Sequence, residues 1–231
     1  VTAYADSQSA AVDADGIDVA AAIDRKETDG IVGDDDPGAA VSGAYDVLVE
    51  ATPTTLGDAQ PGFGHVETAL QNDRHVVLAN KGPVAERYAD VRALERESAG
   101  TVLFEATVGG AMPVLSTIAD FDPDHITAVR GVLNGTANFI LSRMGAEGLA
   151  YEHVLAEAQD LGVAEADPTF DVDGTDAALK GVIVANVLSP DGQEYTLDDA
   201  DVEGIQDIDG SALELAAEDG RTVRLIAEVV D

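Results

Sequence analysis

The sequence predicts an α/β fold in two parts, and three observations predict it. In the first half, short continuous apolar runs alternate with helical stretches, the pattern of a parallel sheet wound with helices. After about residue 113 the helices lengthen and the strands show partial alternation, which reads as mixed α+β with an open mixed sheet. The chain has 231 residues, 45% of them hydrophobic, enough for one large domain or two small ones with a packed core. The expected division is therefore 1–113 and 114–231.

The elements follow in order. VTAYAD reads as a short strand ending in an acid, residues 16–29 as a weak helix, and GDDDPGAAVSG as a loop. YDVLVEATPT is a buried strand around Val47, Leu48 and Val49, closed by Thr52-Pro53-Thr54. Residues 64–72 are helical, RHVVLANKGPVA is a second buried strand running into Asn80-Lys81-Gly82, and residues 85–99 form a charged helix. TVLFEATVGGAMPV gives a third strand and a glycine turn. In the second half ITAVRGVLNGT reads as a longer strand. NFILSRMGAEG and YEHVLAEAQDLG are helices with apolar faces, each closing near a glycine. An acidic loop follows, then the apolar helix GTDAALKGVIVANVL, which should be buried. SALELAAEDG and RTVRLIAEVV read as helix, turn and strand.

Charge narrows the function. The formal net charge is −33, with acid spread along the whole chain, as on a solvated surface adapted to high salt where screening removes self-repulsion. No basic stripe exists to displace counterions, which argues against nucleic acid. There is no cysteine, so disulfides, thiolate zinc sites and a cysteine nucleophile are excluded. The four histidines are isolated in sequence and read as ordinary core or surface residues. No apolar run is long enough to span a bilayer and no signal peptide is visible, so the expectation is a cytoplasmic enzyme without membrane partners. The chain starts VTAYADS, without methionine, and ends RTVRLIAEVVD. Both ends read as strands in mid-fold, and the expectation is a piece of a longer protein.

The first half resembles a dinucleotide-binding, Rossmann-like domain lacking its first unit, since no G-x-G-x-x-G occurs. Asp6, ending the first strand, stands where a ribose-binding acid would be, although turns also favour aspartate. As a ribose ligand it would favour NAD over NADP. Thr52-Pro53-Thr54 and Asn80-Lys81 follow parallel-type strands, at the ends where ligands collect, or are ordinary turns. The chain has only three lysines, Lys26, Lys81 and Lys180. On a surface cleared of lysine, those that remain are candidates for work arginine cannot do, such as giving up a proton. Lys26 lies in a polar helix end and reads as a surface residue. Asp176 and Lys180 are four apart at the start of an apolar helix, where a pair lines a cleft or forms a weak surface bridge. Glu165, Asp171 and Asp173 crowd the preceding loop, but their spacing does not match a calcium loop.

LANKGPVA (78–85), FEATVGGAMPV (104–114), GVLNGTANFILSRM (131–144) and AEADPTFDVDGTDAALK (164–180) together resemble homoserine dehydrogenase, in that family's order and at roughly its spacing. The resemblance implies interconversion of L-homoserine and L-aspartate 4-semialdehyde with NAD or NADP, on the route to threonine and methionine. It implies a partial dinucleotide-binding domain over 1–113, and a substrate-binding and dimerisation domain over 114–231. By position Lys180 and Lys81 resemble the two active-site lysines, and Asp176 the partner of Lys180. Glu165 and Asp171 resemble substrate-binding acids, completed by Gly135 and Thr136. Thr52 resembles a cofactor contact, with Asp6, Pro53, Asn80 and Lys81 beside it. The turn carrying Glu105, Val108, Gly110 and Met112 resembles one whose backbone oxygens hold a monovalent cation (Na+ or K+). A homodimer is expected. The phosphate loop and the C-terminal stretch of the family are not in this sequence, and weak nucleotide binding by this chain alone is expected. The competing readings are a related dehydrogenase of another small hydroxy or aldehyde substrate, and a non-catalytic oligomeric or ligand-sensing homologue.

Overall fold

The computed structural model describes residues 1–121, 123–189 and 192–230. The chain divides into two compact units, Val1–Thr107 and Val108–Asp231. Among the described residues no helix is long and apolar enough to cross a membrane.

The first unit opens with a hairpin. Strands β1 (Ala3–Ala5) and β2 (Ala10–Val12) pair antiparallel, Ala3 opposite Val12. Asp6 makes the turn: its Oδ1 accepts the backbone N–H of Gln8 and of Ser9, both at 2.8 Å. Strand β2 is not among the expected elements, and β1 belongs to this hairpin and not to the wound sheet. A three-residue alanine-rich strand carries no periodicity, and only the aspartate turn marks it. Helix α1 (Val19–Asp29) is capped by Asp18, whose side chain accepts from Ala21 N–H, and it stops at left-handed Gly30. Helix α2 (Pro37–Ser42) lies inside the stretch expected to be a loop. Asp36 caps it and Pro37 opens it, a start signal that outweighs the local glycines.

A three-stranded parallel sheet follows in the order β3 (Val47–Glu50), β4 (His75–Leu78), β5 (Val102–Leu103). Helix α3 (Gly62–Gln71) joins β3 to β4, and α4 (Gly82–Glu86) and α5 (Tyr88–Glu97) lead to β5. This is the wound α/β pattern read from the sequence. Helix α3 packs on β3 and β4 and against α5. The strands were expected to be buried on both faces. In the structure Val76, Leu78 and Val102 are buried while Val49 and Leu103 are 68% and 65% exposed. A continuous apolar run permits two buried faces but does not require them.

The second unit is mostly helical. A 3-10 turn at Pro123–His125 separates α6 (Val114–Phe121) from β6 (Ala128–Gly131). Then come α7 (Gly135–Glu147), α8 (Tyr151–Asp160), the short α9 (Thr169–Val172) and α10 (Thr175–Leu188). A 3-10 turn at Leu197–Asp199, α11 (Gly210–Glu218) and β7 (Ala227–Val230) complete it. Among the described residues of this unit the sheet is the antiparallel pair β6–β7, with Ala128 opposite Val230. One core gathers Ile140, Leu141 and Met144 of α7 with Val154 and Ala158 of α8, Val172, Ile205 and Leu213. Helix α10 buries Leu179, Val182, Ile183 and Val184, as its all-round apolar sequence requires.

Gly174 starts α10 at φ +89°, and a Cβ there would sit 2.5 Å from the carbonyl oxygen of Glu203. Both the backbone angle and the close approach demand glycine. Gly174→Ala is expected to cost about 1–3 kcal/mol, read as a lower urea midpoint with an unchanged slope.

Candidate active site

In the second unit the loop before α7 and the first turns of α9 and α10 meet in one hydrogen-bonded cluster. Asp176 and Lys180 lie one turn apart on α10, with side chains only 8% and 16% exposed. The Lys180 ammonium donates to Asp176 Oδ2 at 2.7 Å and to the Leu133 carbonyl at 2.6 Å. These bonds commit two of its three N–H groups, and among the described residues the third meets no partner. The alternative of a solvated surface bridge is thereby set aside: this pair is desolvated and anchored by a carbonyl.

Asn134 joins the second carboxylate. Its amide donates one hydrogen to Asp171 Oδ1 at 2.6 Å and the other to Asp176 Oδ2 at 2.8 Å. Its oxygen accepts from Ala137 N–H at 2.8 Å, capping α7. That cap also fixes which way the amide points. Asn138, one turn on, reaches the Leu225 backbone through both ends of its amide, at 2.8 and 3.0 Å. Neither asparagine is a candidate in the sequence, where this helix is expected to begin near residue 138. The available signal was asparagine just before an apolar run, a common helix start.

The remaining site residues lie as follows. Gly135 is exposed at the first position of α7, with open space where a Cβ would stand. Thr136 donates its hydroxyl to the Val163 carbonyl at 3.1 Å. Glu165 is exposed between α8 and α9, and its carbonyl accepts from Gln159 at 3.1 Å. Among the described residues the Glu165 carboxylate takes no part in the Asn134 cluster. Val108 is buried, Gly110 has φ +55° and Met112 is 53% exposed. A Cβ on Gly109 would lie 2.1 Å from the Met112 carbonyl oxygen, so this turn is closed by backbone contact. Glu105 begins a 3-10 turn at the end of the first unit. Among the described residues no group of three or more His, Asp or Glu is placed to hold a metal ion. A cation held by backbone oxygens would not depend on such a group.

In the first unit Thr52 and Asn80 are joined: Asn80 Nδ2 donates to Thr52 Oγ1 at 3.1 Å and to the Pro53 carbonyl at 3.3 Å. Lys81 donates its backbone N–H to Thr54 Oγ1 at 3.3 Å. Asp6 is ion-paired to Lys26 at 2.5 Å. The Lys26 ammonium, with the N–H groups of Gln8 and Ser9, holds the Asp6 carboxyl well below the usual carboxylate range. Lys26 lies in the last turn of α1 with its side chain 41% exposed, a surface position as expected, and Asp6 is its partner there.

A cavity of about 800 Å³ also lies in the second unit, between α10 and β7 along Gly174, Ala177, Gly181 and Ala227. None of Lys180, Asp176 or Asp171 lines it, and its lining contains no Lys, Arg or His. A developing oxyanion is stabilised by cationic or N–H donors, and of these two places a side-chain cation is present in the Lys180 cluster and not in the lining of the cavity.

The family model for homoserine dehydrogenase matches residues 113–231, which contain the whole Asn134–Asp171–Asp176–Lys180 cluster. The chain is 40% identical to homoserine dehydrogenase of Methanocaldococcus jannaschii, over 100% of this chain and 71% of that protein. The chain belongs to the homoserine dehydrogenase family. Its fold superimposes on a crystal structure of homoserine dehydrogenase from Thermoplasma acidophilum with a TM-score of 0.80 at 27% identity, covering 100% of this chain and 69% of that one. It is 37% identical to an NAD(+)-dependent homoserine dehydrogenase of Pseudomonas canavaninivorans, over 78% of this chain and 51% of that protein. The homoserine dehydrogenases to which this chain is similar are thus longer than it.

Proposed function

We infer that the intact protein is an NAD(P)-dependent oxidoreductase interconverting L-homoserine and L-aspartate 4-semialdehyde. The observation that carries this reading is the half-buried Lys180 ammonium, fixed by Asp176 and the Leu133 carbonyl with one N–H left over among the described residues. In homoserine oxidation the hydroxyl proton must leave as hydride leaves the same carbon. In the reverse direction the aldehyde oxygen gains charge and takes up a proton. Lys180 supplies the donor to that oxygen and carries the proton, because an amine exchanges protons where a guanidinium does not. Asp176 aims it. Asp171, with Glu165, faces the substrate ammonium, the charge-assisted pairing that a cationic amine requires. Gly135 and Thr136 line the same pocket.

The nicotinamide cofactor accepts or donates the hydride when bound. The loops after β3 and β4, carrying Thr52, Pro53, Asn80 and Lys81, together with Asp6, are the residues that would hold it. The loops after β3 and β4 fit, since ligands of open α/β sheets gather at strand carboxyl ends; Asp6 lies in the separate β1–β2 hairpin, paired with Lys26, and that argument does not extend to it. Lys81, in the loop after β4, would contact the cofactor. Backbone oxygens of the turn carrying Glu105, Val108, Gly110 and Met112 would be the hard ligands for Na+ or K+. The second unit serves substrate binding and homodimerisation in a cytoplasmic enzyme of threonine and methionine synthesis.

The test is direct. Intact enzyme given L-homoserine with NAD or with NADP should generate reduced nicotinamide and an equal amount of aspartate semialdehyde, identified by mass spectrometry. No turnover with either cofactor would contradict the reading. Turnover of other small hydroxy acids but not of homoserine would establish the rival dehydrogenase.

The net charge of −33 fits a salt-rich cell. Raising KCl from about 0.1 M to about 1 M shortens the screening length from about 10 Å to about 3 Å. The thermal midpoint should climb steadily over that range, as scanning calorimetry will show.

A further inference from the structure

The first unit contains a buried polar chain that the proposed proton transfer does not use. Glu50, the last residue of β3, is 2% exposed. Its Oε1 accepts from the Thr52 hydroxyl at 2.5 Å and from Thr52 N–H at 3.2 Å, and it faces His65 Nδ1 at 3.4 Å. The Thr52 proton is therefore committed to Glu50, while Thr52 Oγ1 accepts from Asn80. Both Asn80 amide hydrogens go to the Thr52–Pro53 turn, and Asn80 Oδ1 accepts from Gly82 N–H at 2.9 Å. Gly82 opens α4 directly after Lys81. Helix α3 closes over the chain: a Cβ on Gly62 would strike Asn80 Nδ2 at 2.5 Å and touch Glu50 Oε2 at 3.4 Å. That second oxygen is buried without a hydrogen-bond partner among the described residues.

Burying a carboxylate is costly unless its bonds compensate. Burial pushes the Glu50 carboxyl up, but the bonds from His65 and Thr52 outweigh it and hold the group below its ordinary value. Glu50 therefore stays an anion and keeps accepting. A lone buried acid at the end of an apolar strand is an expensive way to finish a core, and here its bonds run into both loops at the carboxyl ends of the sheet.

We propose that Glu50 is a positioning residue: through Thr52 and Asn80 it locks the loops after β3 and β4 together and so presents Lys81 to the nicotinamide cofactor in one backbone geometry. The cofactor clause rests on the dehydrogenase reading above; the lock does not. The side-chain hydrogens of Thr52 and Asn80 are already in use in this lock, so these two residues would meet the cofactor through backbone groups and not as side-chain donors.

Two measurements test it. In Glu50→Ala, amide hydrogen exchange at Thr52, Lys81 and Gly82 should speed up about tenfold or more, with Val76 in the ladder unchanged. Glu50→Gln, which keeps an oxygen for Thr52, should restore most of the protection. Thr52→Val, which leaves Glu50 in place but cuts the link, should loosen Lys81 and Gly82 as Glu50→Ala does, and serves if Glu50→Ala does not fold. In the intact enzyme the same variants should raise KM for the cofactor on the order of 10- to 100-fold, as small misplacements do, with KM for homoserine unchanged. Unaltered exchange at Lys81 and Gly82 would overturn the lock. Faster exchange with both KM values unmoved would overturn the positioning role. Absence of homoserine turnover in the wild type would refute the dehydrogenase reading, leaving the exchange measurement to decide the lock.

Discussion

Lys180→Ala in the intact enzyme is expected to lower turnover by about 10²- to 10⁴-fold, the range contributed by a positioned acid–base group, while semialdehyde binding should stay close to wild type. The split follows from the geometry. Asp176 and the Leu133 carbonyl already hold the ammonium at 2.7 and 2.6 Å, so on the proposed mechanism what the lysine would add for substrate is its third N–H, donated to the oxygen that gains charge. Such an interaction strengthens as charge develops and lowers the barrier more than it tightens the ground state. Lys180→Arg discriminates further. It retains the cation but not the exchangeable proton, and its turnover should fall nearly as far as that of the alanine variant. Near-normal turnover in Lys180→Ala, measured at saturating substrate, removes this residue from the chemistry.

Asp176→Ala carries the largest expected cost in stability. The carboxylate serves the Lys180 ammonium and the Asn134 amide through one oxygen, and the pair is 8% and 16% exposed. Removing one member of a buried pair leaves an uncompensated charge, which costs about 3–5 kcal/mol. For a chain of this length that lowers the melting temperature on the order of 10 °C, read by scanning calorimetry. Added salt should restore little of it, since buried pairs are weakly screened. Turnover should fall too, because the lysine loses its aim. A variant that melts within a degree of wild type would show that the pair is held by something other than this carboxylate.

The lysine–aspartate pair was legible in the sequence because helix geometry alone places residues four apart on one face, and an apolar helix around them implies burial. Asn134 was not legible. Its bonds reach 37 and 42 residues along the chain, and no local pattern marks contacts of that span. Glu50 was hidden in a similar way: an acid ending VLVE reads as a strand stop until His65 and Thr52 are brought onto it. The parallel order of β3, β4 and β5 followed from alternation of strand and helix, but which face is covered did not, since Val49 and Val76 belong to similar apolar runs. Helix α2 was lost to its glycine and proline, although Asp36-Pro37 is a helix start. The acidic loop hid α9, a single turn too short for periodicity to show.

The most direct test of a proton-carrying Lys180 is rescue of the Lys180→Ala enzyme by small primary amines. Homoserine oxidation should recover in proportion to added methylamine or ethylamine, and across an amine series the rate should follow amine basicity. A folded variant whose residual rate ignores every amine, at concentrations that leave the wild type unaffected, would contradict the assignment.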